Sequence, residues 1–268
     1  MKRLSSINPD YRAALVLIIM AGILICTAVL TNRGDFTSAA LVIAGLICLL
    51  VGIFFVTLST SDPMDLRYLS LLPVQGSINL VRICADLGIQ GNACFIAKGR
   101  SGRTTTMQYL PVAVYRGEPL PAESFVTATD TAGLLVEPAC APLLSLLTTK
   151  EHLAIPSDMT ALHGLVRELG VEVLEVSPRI RSANERELIT VIMDEYRLID
   201  GCRAMTRESP KCCMTNPCPV CSLYATLFAE GTGRVIQLER CSADAKTDTV
   251  TAVFSVLPEY SDEPARPE

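Results

Sequence analysis

Two long uncharged stretches near the amino terminus dominate the hydrophobic pattern of this chain. Residues 13–31 and 38–58 contain no Asp, Glu, Lys or Arg. As helices that rise about 1.5 Å per residue, each would extend roughly 30 Å, which is the thickness of the hydrocarbon core of a bilayer. The pattern predicts a transmembrane helical hairpin over residues 1–61, with a tight connection at Gly34.

The positive charges around this hairpin predict its orientation. Lys2, Arg3 and Arg12 precede the first stretch, whereas the connection carries only Arg33. Because positive residues concentrate on the cytoplasmic side of membrane helices, the pattern favours a multi-pass protein of the cytoplasmic membrane with both termini in the cytoplasm. The alternative for the first stretch is a cleaved signal peptide, which also begins with positive residues.

The remaining pattern divides the chain into three further parts. Residues 62–75 form a short polar connector that contains proline, and residues 76–258 show a mixed pattern of helices and strands. Residues 259–268 are polar, which predicts a disordered tail. We therefore expect one cytosolic domain after the membrane hairpin.

The first half of this domain combines one helix with several short strands. Apolar residues recur at helical spacing over 77–87, and Gly88 follows at the position of a C-cap. Four apolar runs bounded by glycine and proline then predict strands at residues 93–98, 104–115, 124–128 and 133–138. A second helix is predicted to begin near Pro138.

The second half predicts three helices and a closing hairpin. The helices lie at residues 157–170, at 182–201 with Ser182 and Glu185 as a capping box, and from Asn216 onwards. Residues 234–241 and 249–256 predict a β-hairpin. Helices mixed irregularly with short strands indicate an α+β domain rather than a doubly wound sheet.

Composition narrows the class of protein. The net charge is −5, which argues against nucleic acid as a partner, because proteins that bind it usually carry a basic surface. The chain has eleven cysteines. In a reducing cytosol structural disulfides are uncommon, so metal sites, reactive thiols and plain packing are the roles to weigh.

Four of the cysteines lie in the ten residues Cys212–Cys221, CCMTNPCPVC. The spacing of Cys213, Cys218 and Cys221 matches the first three ligands of a plant-type two-iron cluster, with Cys241 or Cys202 as the fourth thiolate. A zinc ion held by Cys213, Cys218, Cys221 and Cys241 is a second hypothesis.

Two further interpretations of this segment stay open. Cys218 and Cys221 would occupy the first turn of the predicted third helix, where the helix dipole and free backbone amides stabilise a thiolate, as in dithiol redox proteins. Cysteine is also small, apolar and often buried, so ordinary core packing explains the segment without any ligand. Packing is the interpretation that the sequence favours most.

Other candidate sites are weaker. Lys98, Arg100 and Arg103 cluster around two glycines, which predicts a hairpin loop and, alternatively, a contact with anionic lipid headgroups. The two histidines, His152 and His163, have no companion at the spacing of a catalytic triad. We therefore do not expect an enzyme of a standard hydrolytic type.

Small residues in the second stretch indicate close helix packing. Ala44, Gly45 and Gly52 would allow another helix to approach the backbone. Packing within the hairpin explains them, and homo-oligomerisation is the alternative.

The layout resembles a set of archaeal membrane proteins, from methanogens and haloarchaea, that join a two-helix membrane hairpin to a cytosolic α+β domain. The resemblance rests on the hairpin and on the segments YLPVAVYRGEPLP, GLLVEPACAPLLSLL and CSLYATLFAEGTGRVIQLERC. It implies an archaeal membrane protein and brings no known activity or catalytic residues.

The last fifty residues also resemble the end of 4-vinyl reductase-type ligand-binding domains, in which a helix precedes a hairpin that carries cysteines. The resemblance implies that Cys218 or Cys221 is the helix cysteine and that Cys241 is the first hairpin cysteine. This chain lacks the later hairpin cysteine, since TDTVTAVF contains none.

Together these patterns predict a membrane-anchored protein whose cytosolic domain binds a protein partner or a small ligand, as a sensor or a scaffold. The alternative is a metal-binding (zinc or iron–sulfur) or dithiol redox protein that uses Cys213, Cys218, Cys221 and Cys241.

Overall fold

The computed structural model describes residues 9–31, 36–58, 66–100, 103–121, 123–128, 131–244 and 246–257. The chain divides into two units, Met1–Met64 and Asp65–Glu268. The predicted tail from residue 259 lies outside the described residues.

The first unit is a pair of long helices, α1 (Pro9–Thr31) and α2 (Phe36–Leu58). They pack closely along glycines: a Cβ added at Gly45 would lie 2.8 Å from Ile25 Cγ1, and one added at Gly52 would lie 2.9 Å from Ile18 Cγ1. The predicted packing of small residues within the hairpin is thereby confirmed. Both helices are long and apolar enough to cross a membrane.

The second unit combines short helices with an antiparallel sheet. Its elements are α3 (Leu66–Leu71), α4 (Val74–Asp86), β1 (Cys94–Arg100), β2 (Arg103–Pro111), β3 (Phe125–Val126), β4 (Gly133–Val136), α5 (Ala141–Lys150), α6 (Met159–Glu168), β5 (Arg179–Glu185), β6 (Leu188–Asp194), α7 (Ile199–Glu208), α8 (Cys212–Thr215), α9 (Pro219–Thr232), β7 (Ile236–Asp244) and β8 (Thr249–Val256). The predicted α+β class is confirmed.

In the described part of the chain the strands form one sheet, in which their spatial order differs from their order in the sequence. Its order is β3-β4-β2-β1-β7-β8-β6-β5, and every neighbouring pair is antiparallel. The last hairpin, β7 and β8, therefore lies in the middle of the sheet, between the four strands β3-β4-β2-β1 and the hairpin of β6 and β5. This position explains the alternating burial along β8, where Val250, Ala252 and Phe254 face the core.

Helix α9 is the centre of the core. Every residue from Val220 to Ala229 is buried, and Phe228 packs against the rings of His163 and Phe254. A helix that is apolar all round must be covered on all sides, which the sheet and α6 provide. The helix ends at Gly233, whose φ of 68° is the left-handed conformation typical of a C-cap.

The prediction of one helix over residues 182–201 is wrong. Residues Arg179–Glu185 and Leu188–Asp194 are strands β5 and β6, and Arg186 in their turn has a φ of 58°. Burial along β6 alternates, with Ile189, Val191 and Met193 inward, because β6 pairs with β8. That long-range pairing overrides the capping-box pattern at Ser182.

Three smaller predictions also need correction. The 157–170 helix does not stop at Gly170 but continues as a wider π-helical turn, Leu169–Val173. The predicted connector 62–75 contains α3 and the start of α4. Helix α7 begins at Ile199, where a helix was predicted to end.

Candidate functional site

The described part of the second unit contains an apolar cavity of about 590 Å³. Its walls come from α3, α4, α5, α7 and the start of α9, and the side chains of Leu69, Val74, Leu143 and Leu198 are typical of its lining. This volume lies within the range of about 300–1,000 Å³ common for small-molecule sites. We call this space the apolar cavity.

Two cysteine side chains form one side of the apolar cavity. Cys202 on α7 and Cys218 at the start of α9 both line it. Cys218 is half-buried, because it faces the cavity, while Cys202 is buried. Tyr196, which is also buried, completes this wall.

Behind this wall lie three more cysteines. The five thiols shift one another's pKa as neighbouring pairs: Cys202 with Cys218, Cys218 with Cys221, Cys221 with Cys241, and Cys241 with Cys213. The five come from α7, α8, α9 and β7. We call them the thiol cluster.

The start of α9 explains the position of Cys218. Cys218 is the N-cap, with extended backbone (φ −61°, ψ 161°), and Pro219 occupies the first helical position. Cys218 makes no side-chain capping hydrogen bond, although the nearby backbone N–H groups of Cys221 and Val220 lower its pKa. A proline at this position needs no hydrogen-bond partner, and the free amides of the first turn point at the cap side chain.

The pKa values of the clustered thiols differ because their neighbours differ. Thiol donation from Cys202 and Cys221, together with the two backbone N–H groups, holds the pKa of Cys218 well below its usual range despite burial. The Cys202 and Cys221 thiols have raised pKa values, first because each donates to Cys218 and second because each is buried. These shifts favour the thiolate at Cys218 and the protonated thiol at Cys202 and Cys221.

A second low-pKa sulfur lies at the other end of this series of pairs. Donation from Cys213 and Cys221 lowers the pKa of Cys241, and Cys213 has a raised pKa because it donates to Cys241 and is buried. Cys241 does not line the apolar cavity.

A β-bulge aims Cys241 at the cluster. In the pairing of β7 with β8, Leu238 is opposite Phe254 and Arg240 is opposite Val253, so that Glu239 is an extra residue. Glu239 and Arg240 are both exposed, and Cys241 then points inward beside Leu238. A bulge re-aims a side chain in this way because it shifts the two-residue alternation by one.

All four predicted metal ligands, Cys213, Cys218, Cys221 and Cys241, belong to the thiol cluster. Each of these four sulfurs interacts with one or two of the others, and the four do not meet at one point. Among the described residues, no group of three or more His, Cys, Asp or Glu side chains stands in an arrangement that could hold a metal ion. Metal binding by these cysteines therefore stays a prediction.

The other predicted sites lie on the hairpin of β1 and β2 and on helix α6. Lys98 and Arg100 lie on β1 and Arg103 lies on β2, so the predicted hairpin is present, while the headgroup contact stays a prediction. His163 Nδ1 is 2.6 Å from Ser182 Oγ, and its Nε2 is buried without a partner among the described residues. Burial lowers the pKa of His163, which favours the neutral ring.

The sequence did not predict the apolar cavity, and it gave Cys202 only as an alternative fourth ligand of a two-iron cluster. Cys202 lies 16 residues before Cys218, on a helix that was predicted to have ended at Gly201. A correct assignment of α7 would have placed its buried face, with Cys202 and Met205, towards the core.

No protein-family model, no curated protein and no solved structure matches this chain. The resemblances to archaeal membrane proteins and to 4-vinyl reductase-type domains therefore stay predictions. The functional argument rests on the apolar cavity and the thiol cluster.

Proposed function

We propose that this protein is a sensor anchored in the cytoplasmic membrane by α1 and α2, with both termini in the cytoplasm, whose α+β domain binds an apolar small molecule in the apolar cavity. The observation that carries the proposal is the cavity itself. Its lining is overwhelmingly carbon, so it would bind a ligand through burial of apolar surface, at about 25 cal/mol per Å².

The exposed surface of helix α3 supports this proposal. Helix α3 lines the cavity and, with the residue after it, exposes Tyr68, Leu69 and Leu72. Exposed apolar side chains beside the cavity favour the approach of an apolar ligand.

Narrowing the cavity is expected to weaken ligand stabilisation. Ser77 on α4 is buried and lines the cavity, so Ser77→Leu would place three more carbons in that space without opposing the helix. With the full chain in detergent, 2-phenyl-2-propanol at 100 times its Kd should stabilise the natural protein by about 2.7 kcal/mol. The measurement is thermal unfolding followed by circular dichroism, and the variant should show a smaller shift at the same concentration.

The same variant controls for the detergent. Both proteins meet the same free concentration of 2-phenyl-2-propanol, because its partition into micelles does not depend on the cavity. Equal shifts in the two proteins, or no shift in the natural protein, would count against a ligand in this cavity.

A second candidate function is dithiol redox chemistry, which the pairing of neighbouring sulfurs supports. A pair of neighbouring thiols can be oxidised together, whereas a four-thiolate zinc or iron centre needs its sulfurs to converge on one point. Zinc and iron content of the protein purified without oxygen separates the two. The dithiol proposal expects less than one ion per chain; one ion per chain, lost in the Cys218→Ser, Cys221→Ser variant, would favour the metal alternative.

A further inference from the structure

The sheet ends in one very short strand and one long strand. At one side the last strand is β3, Phe125–Val126, and at the other it is β5, Arg179–Glu185. Among the described residues, no strand pairs with the outer side of β5. An edge of this length presents a row of unpaired backbone groups, which can pair with another strand.

The hydrogen bonds of the neighbouring strand β6 determine the direction of the backbone groups on β5. The N–H of Val256 donates to the carbonyl oxygen of Glu187, so Glu187 faces β8. Because backbone groups alternate in direction along a strand, the next residue, Leu188, faces β5 and lies opposite Glu185. The backbone groups of Glu185, and of every second residue before it, are therefore directed at β6.

The residues between these direct their N–H and C=O groups to the open edge. They are Ile180, Ser182 and Asn184. In the part of the chain that the structure describes, no backbone group pairs with them on that side. Only Ile180 among the seven residues of β5 is buried, so most of the strand is accessible to a partner.

The side chains of β5 are complementary to those of a second copy of the same strand. When two copies run antiparallel with their Ser182 residues opposite each other, Arg179 of each copy lies opposite Glu185 of the other. Both side chains are exposed, and neither has an ion-pair partner of its own among the described residues. Opposite charges directly across an antiparallel pair are stabilising.

The same register satisfies the backbone groups of the edge. Residues that exchange hydrogen bonds across an antiparallel pair lie directly opposite each other, so outward-facing residues must meet outward-facing residues. Here Ser182 meets Ser182, and Ile180 meets Asn184. A register centred on Arg181 would place two arginines opposite each other. A register centred on Ala183 would leave the first two residues of each strand beyond the end of the other.

A cavity of about 450 Å³ lies beside this edge, between β5 and α6. Helix α6 contributes His163 and Gly164 to its lining, and β5 contributes Ile180 and Ser182. A Cβ added at Gly164 would meet no atom within 4 Å, so this wall is open. Residues directly opposite each other point to the same face of a sheet, so Asn184 of a second copy would lie beside Ile180 and enter this space.

We propose that β5 is a dimerisation edge, at which a second copy of this chain adds its own β5 in antiparallel orientation, with the two Ser182 residues at the two-fold axis. Such an interface is isologous, because each copy uses the same surface. The sheet then continues from one copy into the other. The dimer goes beyond the proposed ligand-binding function and does not use the apolar cavity.

Two single charge reversals test this pairing. Arg179→Glu places glutamate opposite glutamate at both ends of the paired strands, and Glu185→Arg places arginine opposite arginine. Each variant alone should dimerise about tenfold more weakly than the natural chain, because repulsion replaces attraction at both ends. The measurement is sedimentation equilibrium of the full chain in detergent, over a range of protein concentrations.

A mixture of the two variants provides the sharpest result. In a dimer of one Arg179→Glu chain with one Glu185→Arg chain, both ends again join opposite charges. The one-to-one mixture should therefore recover the dimerisation of the natural chain. Arg207→Glu is the control, since it changes the net charge as Arg179→Glu does and lies exposed on α7, which packs on α3, α4 and α8. It should leave dimerisation unchanged.

Hydrogen exchange of the natural chain gives a second measurement that needs no variant. The amides of Ile180, Ser182 and Asn184 should exchange more slowly above the dimer Kd than below it, because pairing protects them. The amides of Arg181 and Ala183, which face β6, should exchange at the same rate at both concentrations.

Three results would overturn the proposal. One is a monomer at every concentration, which would mean that the charged side chains of β5 keep this edge unpaired. Another is a dimer that neither charge reversal weakens, which would place the interface elsewhere, as in α1 and α2. The last is a mixture that dimerises as weakly as each variant alone. None of the three bears on the apolar cavity, because ligand binding there is measured by thermal unfolding.

Discussion

Cys218 is expected to react with N-ethylmaleimide faster than any other described cysteine at pH 6.5, and its rate should change little between pH 6.5 and pH 8.5. The thiolate is the nucleophile, and a lowered pKa means that the thiolate is already present at the lower pH. Cys241 also has a lowered pKa, but Cys218 lines the cavity and Cys241 does not, so the reagent reaches Cys218 first. An ordinary thiol with a pKa near 8.5 gains about tenfold in rate per pH unit below that value. The measurement is time-resolved alkylation, with each cysteine quantified by peptide mass spectrometry.

Cys140 provides the matched control. It is buried, its sulfur lies 3.3 Å from Thr226 Oγ1, and burial raises its pKa, so it should stay unreacted. Cys140→Ser replaces the thiol at this contact by a hydroxyl, which can also hydrogen-bond Thr226, and should leave the fast phase intact, whereas Cys218→Ser should remove it. A Cys218 rate that climbs tenfold per pH unit over this range would show that the N-terminus of α9 does not hold a thiolate.

Gly201→Ala is expected to destabilise the domain by about 1–3 kcal/mol, the usual cost of an overpacked site. Gly201 lies on α7 at the crossing with α3. An added Cβ would overlap the carbonyl oxygen of Ser70 and lie 3.2 Å from its carbonyl carbon. Because this neighbour is backbone, it cannot turn away, and α3 must move from the cavity wall. The free energy of unfolding, from urea titration followed by circular dichroism, measures the effect.

Gly164→Ala on α6 is the control with the opposite sign. A Cβ at Gly164 meets no atom within 4 Å. Alanine should then stabilise that helix by roughly 0.5–1 kcal/mol, since glycine loses more backbone entropy on folding. If both variants stabilise the domain, an added Cβ at Gly201 costs no free energy of unfolding, and α3 can move away from α7 without loss of stability.

The parts of the fold that sequence predicted correctly are those with strong local patterns. Helices α1 and α2 follow from their uncharged stretches, α9 follows from proline near its start, and the last hairpin follows from the alternation in β7 and β8. In each case the deciding residues lie next to one another in sequence.

The failure at residues 182–201 has a physical cause. Leu188, Ile189, Ile192 and Met193 fit a helical face, and Ser182 with Glu185 imitates a capping box. The β-branched residues of this segment also fit a strand, and pairing with β8 decides between the two. That partner lies about sixty residues later, beyond the reach of any local pattern.

The candidate site was predictable in part. The sequence predicted a helix from Asn216 with Cys218 and Cys221 in its first turn; the helix begins at Pro219, so Cys221 lies in the first turn and Cys218 is the N-cap. The cluster as a whole did not follow, because Cys202 and Cys241 reach it from α7 and β7 through tertiary packing. The cavity could not be predicted, since it is a space between five helices.

The bulge in β7 absorbs one extra residue, so that Cys241 faces inward as it would in a regular strand one residue shorter. Glu239 is the extra residue, and it is exposed, so its side chain contributes little to the core. Loss of its single codon would leave Leu238 opposite Phe254, Arg240 opposite Val253 and Cys241 opposite Ala252, so the pairing would become regular and Cys241 would still face inward. A shortening of the gene by one codon at this position would thus spare the fifth sulfur of the cluster.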